Sequence, residues 1–207
     1  MAATANENAA QYQTSKAFCM TSAFWMIVGT LMGLIGATEL MAPDLTKNIG
    51  WLVFGRVRPV HINIVLFGFV TPGLLAAAFY YVPKLLRTGL FSERLGVVTV
   101  VAWNIALVAV VISLLKGYTQ GREYAELIWP IDVAVVAVFL MVFFNFIMTV
   151  KQRKEPVLYV SVWYVLAGTI LTACTYALGN IISVSYTHLT LPTSCRGGGG
   201  GGGGGGG

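Results

Sequence analysis

His61 stands in the segment Phe54-Gly-Arg-Val-Arg-Pro-Val-His-Ile-Asn63, just inside the edge of a long apolar run. A neutral imidazole is a good axial ligand for heme iron. Arg56 and Arg58 precede it by one to two helical turns. Their planar guanidinium forks suit carboxylates, heme propionates included. One short segment thus supplies an iron ligand and a carboxylate clamp at a single depth. A plainer arrangement satisfies the same pattern: an interfacial histidine bonded to a backbone carbonyl, with both arginines anchored to lipid headgroups. Ionisable groups at membrane depth nevertheless mark functional sites by default.

A second segment, Gly117-Tyr-Thr-Gln-Gly-Arg-Glu-Tyr-Ala-Glu-Leu-Ile-Trp-Pro-Ile-Asp132, carries Glu123 and Glu126 three residues apart. That spacing places two carboxylates on one turn if the segment is helical, and hard oxygen ligands suit calcium. The alternative is a solvated loop in which Arg122 pairs with Glu126. Tyr124 and Trp129 fit an interfacial aromatic belt. Cysteine chemistry adds little. Cys19 and Cys174 lie in apolar runs and no Cys-x-x-Cys pair occurs, so thiolate metal sites and covalently attached heme find no support.

These residues need elements to hold them. Of 207 residues, 57% are hydrophobic and only 10% are charged. A soluble domain carries roughly a quarter charged residues, so the composition indicates a polytopic membrane protein in contact with lipid. Five apolar stretches are long enough to cross a bilayer: about 18–41, 60–82, 95–115, 131–150 and 157–182. Backbone groups in hydrocarbon must be paired within the segment, and the runs lack the two-residue alternation of barrel strands. The expected fold is therefore all-α, with five transmembrane helices. Pro59, Pro83, Pro130 and Pro156 fall near span ends, where proline is tolerated. Pro72 lies inside the second span and is expected to kink it. Gly29 and Gly33 form a Gly-x-x-x-Gly pair that reads as ordinary close helix packing.

The net charge of +5 does not indicate a nucleic-acid partner, because the basic residues sit in short loops and form no continuous face. Residues 1–17 are polar, lack a signal-peptide core and are expected on the cytoplasmic side. Lys16, Lys84, Arg87, Arg94, Lys151, Arg153 and Lys154 would then lie inside, against Lys47, Arg56, Arg58, Lys116 and Arg122 outside.

Residues 183–207 are expected not to be native. Val184-Ser-Tyr-Thr-His-Leu-Thr-Leu-Pro-Thr193 back-translates into a transposase adapter used in short-read library preparation, and Gly197–Gly207 is an unbroken glycine run. On that expectation His61 is the only native histidine, and His188, Cys195 and Arg196 have no role.

The motif Gly-Arg-x-Arg-Pro-x-His-x-Asn at Gly55–Asn63 is followed by Gly-Arg-Glu-Tyr-Ala-Glu-x-x-Trp-Pro-Ile-Asp at Gly121–Asp132. Together they resemble the catalytic subunit of cbb3-type cytochrome c oxidases. Nitric oxide reductases, their relatives, have a similar first motif. The resemblance runs from about Phe18 to Asn180 and implies a truncated heme-copper oxidase subunit I-like bundle in a prokaryotic plasma membrane. It implies His61 as an axial ligand of low-spin heme b, with Arg56 and Arg58 near heme propionates. Glu123 would bind a calcium ion, with Glu126 in its shell. The implied activity is reduction of oxygen to water with electrons from cytochrome c, coupled to proton translocation and shared with other oxidase subunits, cytochrome c-type subunits included.

The same resemblance places the high-spin heme and copper B ligands in a later half of the subunit, so this chain alone is expected to be inactive. Tyr176 stands where many family members carry histidine. Two alternatives remain at this level: a nitric oxide reductase large subunit, in which non-heme iron replaces copper, and a cofactor-free transporter or scaffold.

Overall fold

The computed structural model describes residues 12–45, 49–120 and 126–194. Five helices in it are long and apolar enough to cross a membrane. They are α1 (Gln13–Met41), α2 (Phe54–Leu85), α3 (Glu93–Lys116), α4 (Trp129–Lys151) and α5 (Val160–Ser194), whose apolar span is Val160–Ile182. A single 3-10 turn, Pro43–Leu45, follows α1. The described residues contain no strand, so the fold is the all-α, five-span arrangement that the apolar runs require.

Two boundaries move outward from the apolar runs, each for a polar reason. The first helix begins at Gln13 because its opening turn finds partners inside the protein. The Thr14 backbone N–H and hydroxyl both donate to Glu93 Oε2, at 3.0 and 2.6 Å, and Ser15 Oγ donates to the Ala76 carbonyl at 2.7 Å. A carboxylate from α3 thereby satisfies donors that a helix start leaves open. The second helix begins at Phe54, taking in Gly55–Pro59. Pro59 and Pro83 therefore lie within α2, whereas Pro130 occupies the first turn of α4.

Packing is side by side. α1 lies against α2 and α3, α2 also lies against α3, and α4 packs between α3 and α5. Lipid tails are as apolar as leucine, so contact in a membrane is driven by close packing and interhelical hydrogen bonds. Both are present. Phe18, Phe79 and Phe146 form a ring column across α1, α2 and α4, with centroids 5.4 and 4.5 Å apart. The Trp25 indole donates to Asn104 Oδ1 at 2.9 Å, and Asn104 Nδ2 donates to Thr21 Oγ1 at 3.0 Å, which pins α1 to α3.

The middle of α2 departs from α-helical winding. Ile64–Val70 is π-helical and ends just before Thr71 and Pro72. A kink is expected at Pro72; what the helix shows there is this change of winding. A π turn pairs the N–H of residue i with the carbonyl of i−5, so the Phe67 carbonyl would look to residue 72. Proline has no N–H to offer. Instead, Trp103 Nε1 of α3 donates to the Phe67 carbonyl at 2.9 Å. Neighbouring carbonyls are met likewise: Ser22 Oγ donates to Phe69 and Thr71 Oγ1 to Leu66, both at 2.8 Å.

The two ends of the bundle are defined by hydrogen bonds. At one end Thr14, Glu93, Ser92 and Asn145 connect α1, α3 and α4, and Arg87 pairs with Glu155 at 3.3 Å. At the other, Arg56 reaches the end of α3, and Asn63 reaches Glu126 just before α4.

Candidate functional site

His61 sits in the second turn of α2, three residues before the π-helical stretch. Its ring faces α1. Nδ1 lies 2.8 Å from the Gly29 carbonyl. A carbonyl can only accept, so Nδ1 carries a proton, and in the neutral ring Nε2 is the nitrogen with the lone pair. The ring is seated on Gly33. A Cβ at that position would lie 2.7 Å from both Cε1 and Nδ1 of His61. Gly29 meets the expectation of close packing, since its added Cβ would touch Ile64 and Val65 at 3.2 Å. Gly33 does something else: it makes room for the imidazole.

His61 is half-buried; on its side of α2 Val57, Ile64 and Gly68 are buried, and Arg58 and Phe69 are exposed. One feature of this setting suits an iron ligand. A ligating histidine characteristically donates its other ring N–H to a carbonyl, which fixes tautomer and ring orientation.

The two arginines separate. Positions 56 and 58 point roughly 200° apart on a helix. Arg58, three residues before His61, shares its side of α2 and is exposed. Arg56 is half-buried and turned toward α3. Its Nη1 donates to the Leu115 carbonyl at 3.1 Å, and its guanidinium lies over Gly117, the left-handed residue (φ 84°) that closes that helix. A cation there complements the helix C-terminus.

Glu126 is buried and accepts a 2.6 Å hydrogen bond from Asn63 Nδ2. The same amide nitrogen donates to the Pro59 carbonyl at 2.9 Å. Glu126 thus bonds to the helical turn that carries His61. Glu123 and Arg122 lie outside the described residues. Among the described residues no group of three His, Cys, Asp or Glu side chains gathers as a metal site.

Asp132, in the first turn of α4, escaped the sequence-level site although it belongs to the second motif. It is buried, accepts from the Tyr176 hydroxyl at 2.6 Å, and faces Gln120 Nε2 at 3.4 Å. An acid within an apolar span is itself a signal, and so was the tyrosine at position 176. A cleft of about 500 Å³ between α4 and α5 opens beside this pair. Asn63 was legible in the same way, as an amide among apolar residues. Its pairing with Glu126 was not, because that depends on where α2 and α4 meet.

Residues 13–196 match the family model described as Cytochrome C and Quinol oxidase polypeptide I. The chain is 34% identical over 178 residues to the cbb3-type cytochrome c oxidase subunit CcoN1 of Stutzerimonas stutzeri, covering 86% of this chain and 38% of that protein. It is 36% identical over 169 residues to cytochrome c oxidase subunit 1 of Rhodobacter capsulatus, covering 80% and 32%. A cytochrome c oxidase subunit 1 homolog of Bradyrhizobium diazoefficiens is 38% identical over 157 residues, covering 76% and 28%. The chain spans about a third of the length of these curated relatives.

Proposed function

This chain belongs to the Cytochrome C and Quinol oxidase polypeptide I family, and we propose that it forms the low-spin heme b site of a cbb3-type oxidase subunit I. The observation that carries the proposal is the setting of His61. Gly29 holds Nδ1–H at 2.8 Å, Gly33 seats the ring, and Nε2 keeps its lone pair. When bound, the heme would supply a one-electron carrier at that depth.

The chain's own residues do the positioning. The Gly29 carbonyl fixes the tautomer and raises the basicity of Nε2. Arg58, on the ligand's side of α2, is placed to meet a propionate. Arg56 commits one N–H to Leu115, and a guanidinium's remaining donors can serve a second carboxylate. The Asn63–Glu126 bond ties the turn that carries His61 to the residue just before α4. In the whole subunit we assign calcium to Glu123, with Glu126 contributing through its buried carboxylate.

The parent enzyme would reduce oxygen to water with electrons from cytochrome c and move protons across a prokaryotic plasma membrane. It would do so with cytochrome c-type subunits and with the high-spin heme and copper B of its other half. The His61 end of the bundle faces outward in this reading, which puts the N-terminus in the cytoplasm.

The test is His61→Ala in the full-length subunit. The reduced-minus-oxidised spectrum of the purified complex should lose its low-spin b band, because alanine offers iron no axial nitrogen. A normal low-spin band in that variant would overturn the assignment.

A further inference from the structure

We propose that Trp103 is a positioning residue for the His61 ligand, acting through the Phe67 carbonyl and the π-helical stretch of α2. This rests on the reading of His61 as a heme ligand and adds to it the element that sets the ligand's orientation.

Pro72 orphans an acceptor in the preceding turn of α2. Within Ile64–Val70 the ladder runs from i to i−5, as the Thr71 N–H bonded to the Leu66 carbonyl shows. The next rung would join residue 72 to Phe67, and residue 72 is proline. At membrane depth no water replaces the missing donor, so the carbonyl needs a partner from elsewhere. Trp103 supplies it at 2.9 Å from a side chain that is 1% exposed. The indole has one donor and no acceptor, so this bond uses all of its polar capacity.

The consequence for His61 is geometric. A π turn inserts a residue, so the helix beyond it is rotated by about 100° relative to an uninterrupted α-helix. That offset lets two halves of α2 face different partners. The outer half turns His61 onto Gly29 and Gly33 of α1. The inner half turns Leu75, Phe79 and Val82 into the core. Further contacts grip the stretch: Ser22 on the Phe69 carbonyl, and Trp25 against Gly68, where a Cβ would come within 2.8 Å. Trp103 alone meets a carbonyl whose own rung is removed by proline. Without its N–H, the stretch must shift to pair Phe67, and the ligand three residues upstream shifts with it.

The experiment uses the full-length subunit in its complex. Trp103→Phe keeps an aromatic ring and removes the donor. Trp103→Phe combined with Pro72→Ala returns a backbone N–H at the position the π ladder requires. The readouts are heme content, the low-spin α band and the low-spin EPR g values. We expect Trp103→Phe to shift the band and g values with heme content retained, and the double variant to restore both. Unchanged g values in Trp103→Phe would overturn the proposal. So would a shift that the double variant fails to reverse, since lost ring volume would then be the cause. If Trp103→Phe does not assemble, recovery of assembly in the double variant supports the proposal and its absence overturns it. His61→Ala, measured alongside, separates the two readings: a retained low-spin band there removes the ligand assignment itself, whatever Trp103 does.

Discussion

Three glycines on one side of α1 offer a graded test of how His61 is held. An alanine Cβ at Gly36 would lie 3.7 Å from Val57, an ordinary contact. At Gly29 it would lie 3.2 Å from the methyl ends of Ile64 and Val65, a tight contact that small side-chain adjustments can relieve. At Gly33 it would lie 2.7 Å from two atoms of the His61 ring. The ring cannot stay there. It must tilt or slide by several tenths of an ångström, and the Nδ1 bond to Gly29 lengthens with it. Overpacking typically costs about 1–3 kcal/mol, and the lost hydrogen bond about 1 kcal/mol more. Both penalties fall on the geometry that aims Nε2. The combined effect is on the order of 2–4 kcal/mol, or roughly 30- to 700-fold in the heme equilibrium. The assay is heme b content and the low-spin α band in purified full-length variants. Gly36→Ala should match wild type. Gly29→Ala should keep the heme and lower thermal stability slightly, because its carbonyl remains. Gly33→Ala should deplete or distort the low-spin heme. A wild-type low-spin spectrum in Gly33→Ala refutes the reasoning, and equal losses across all three glycines would show that the cause is helix packing alone.

Glu126→Gln should retain the bond from Asn63 and keep the heme. Glu126→Ala should cost about 1–3 kcal/mol by orphaning a buried amide, read as a fall in melting temperature of the detergent-solubilised complex. Single cysteines at Lys47 and Arg122 should react with an impermeant thiol reagent from the periplasm while those at Lys84 and Lys151 stay protected; labelling of all four from one side would sink the five-span topology. Sequencing the gene anew across codon 183 should replace the stretch after Ser183 with different coding sequence, whereas recovery of the same codons followed by further coding sequence would retain it as native.

The spans were legible because hydrocarbon leaves the chain few choices: long uncharged runs must be helices. Their ends were less so. Gly55-Arg-Val-Arg-Pro59 reads locally as a polar, proline-bearing loop, yet it is helical, with Arg56 anchored to the end of α3. The start of α1 likewise depended on Glu93, 79 residues away from Thr14. His61 stood out through its chemistry alone, but its seat did not. Gly29 and Gly33 carry the familiar spacing of helix packing, and only the register between α1 and α2 turns one into a carbonyl acceptor for the imidazole and the other into a cradle. Pro72 announced a disturbance. That the disturbance became a π stretch depended on Ser22 and Trp103, which lie on other helices.

One physical rule connects these particulars. In water, a mispaired carbonyl or amide costs little because solvent repairs it; in hydrocarbon it must be repaired by a side chain, from the same helix or from another. Several polar groups of this bundle meet where the backbone is broken or where His61 is held. Trp103 answers Pro72, Asn63 covers the Pro59 carbonyl and reaches Glu126, and the Gly29 carbonyl orients His61. All of these lie along α2 between Pro59 and Pro72, the stretch in which winding is least regular and the ligand stands. Irregular winding in a membrane helix demands compensation from its neighbours, and each compensation fixes a distance. On the proposed assignment of His61 such fixed distances matter, because small changes in ligand orientation alter the electronics of a heme iron.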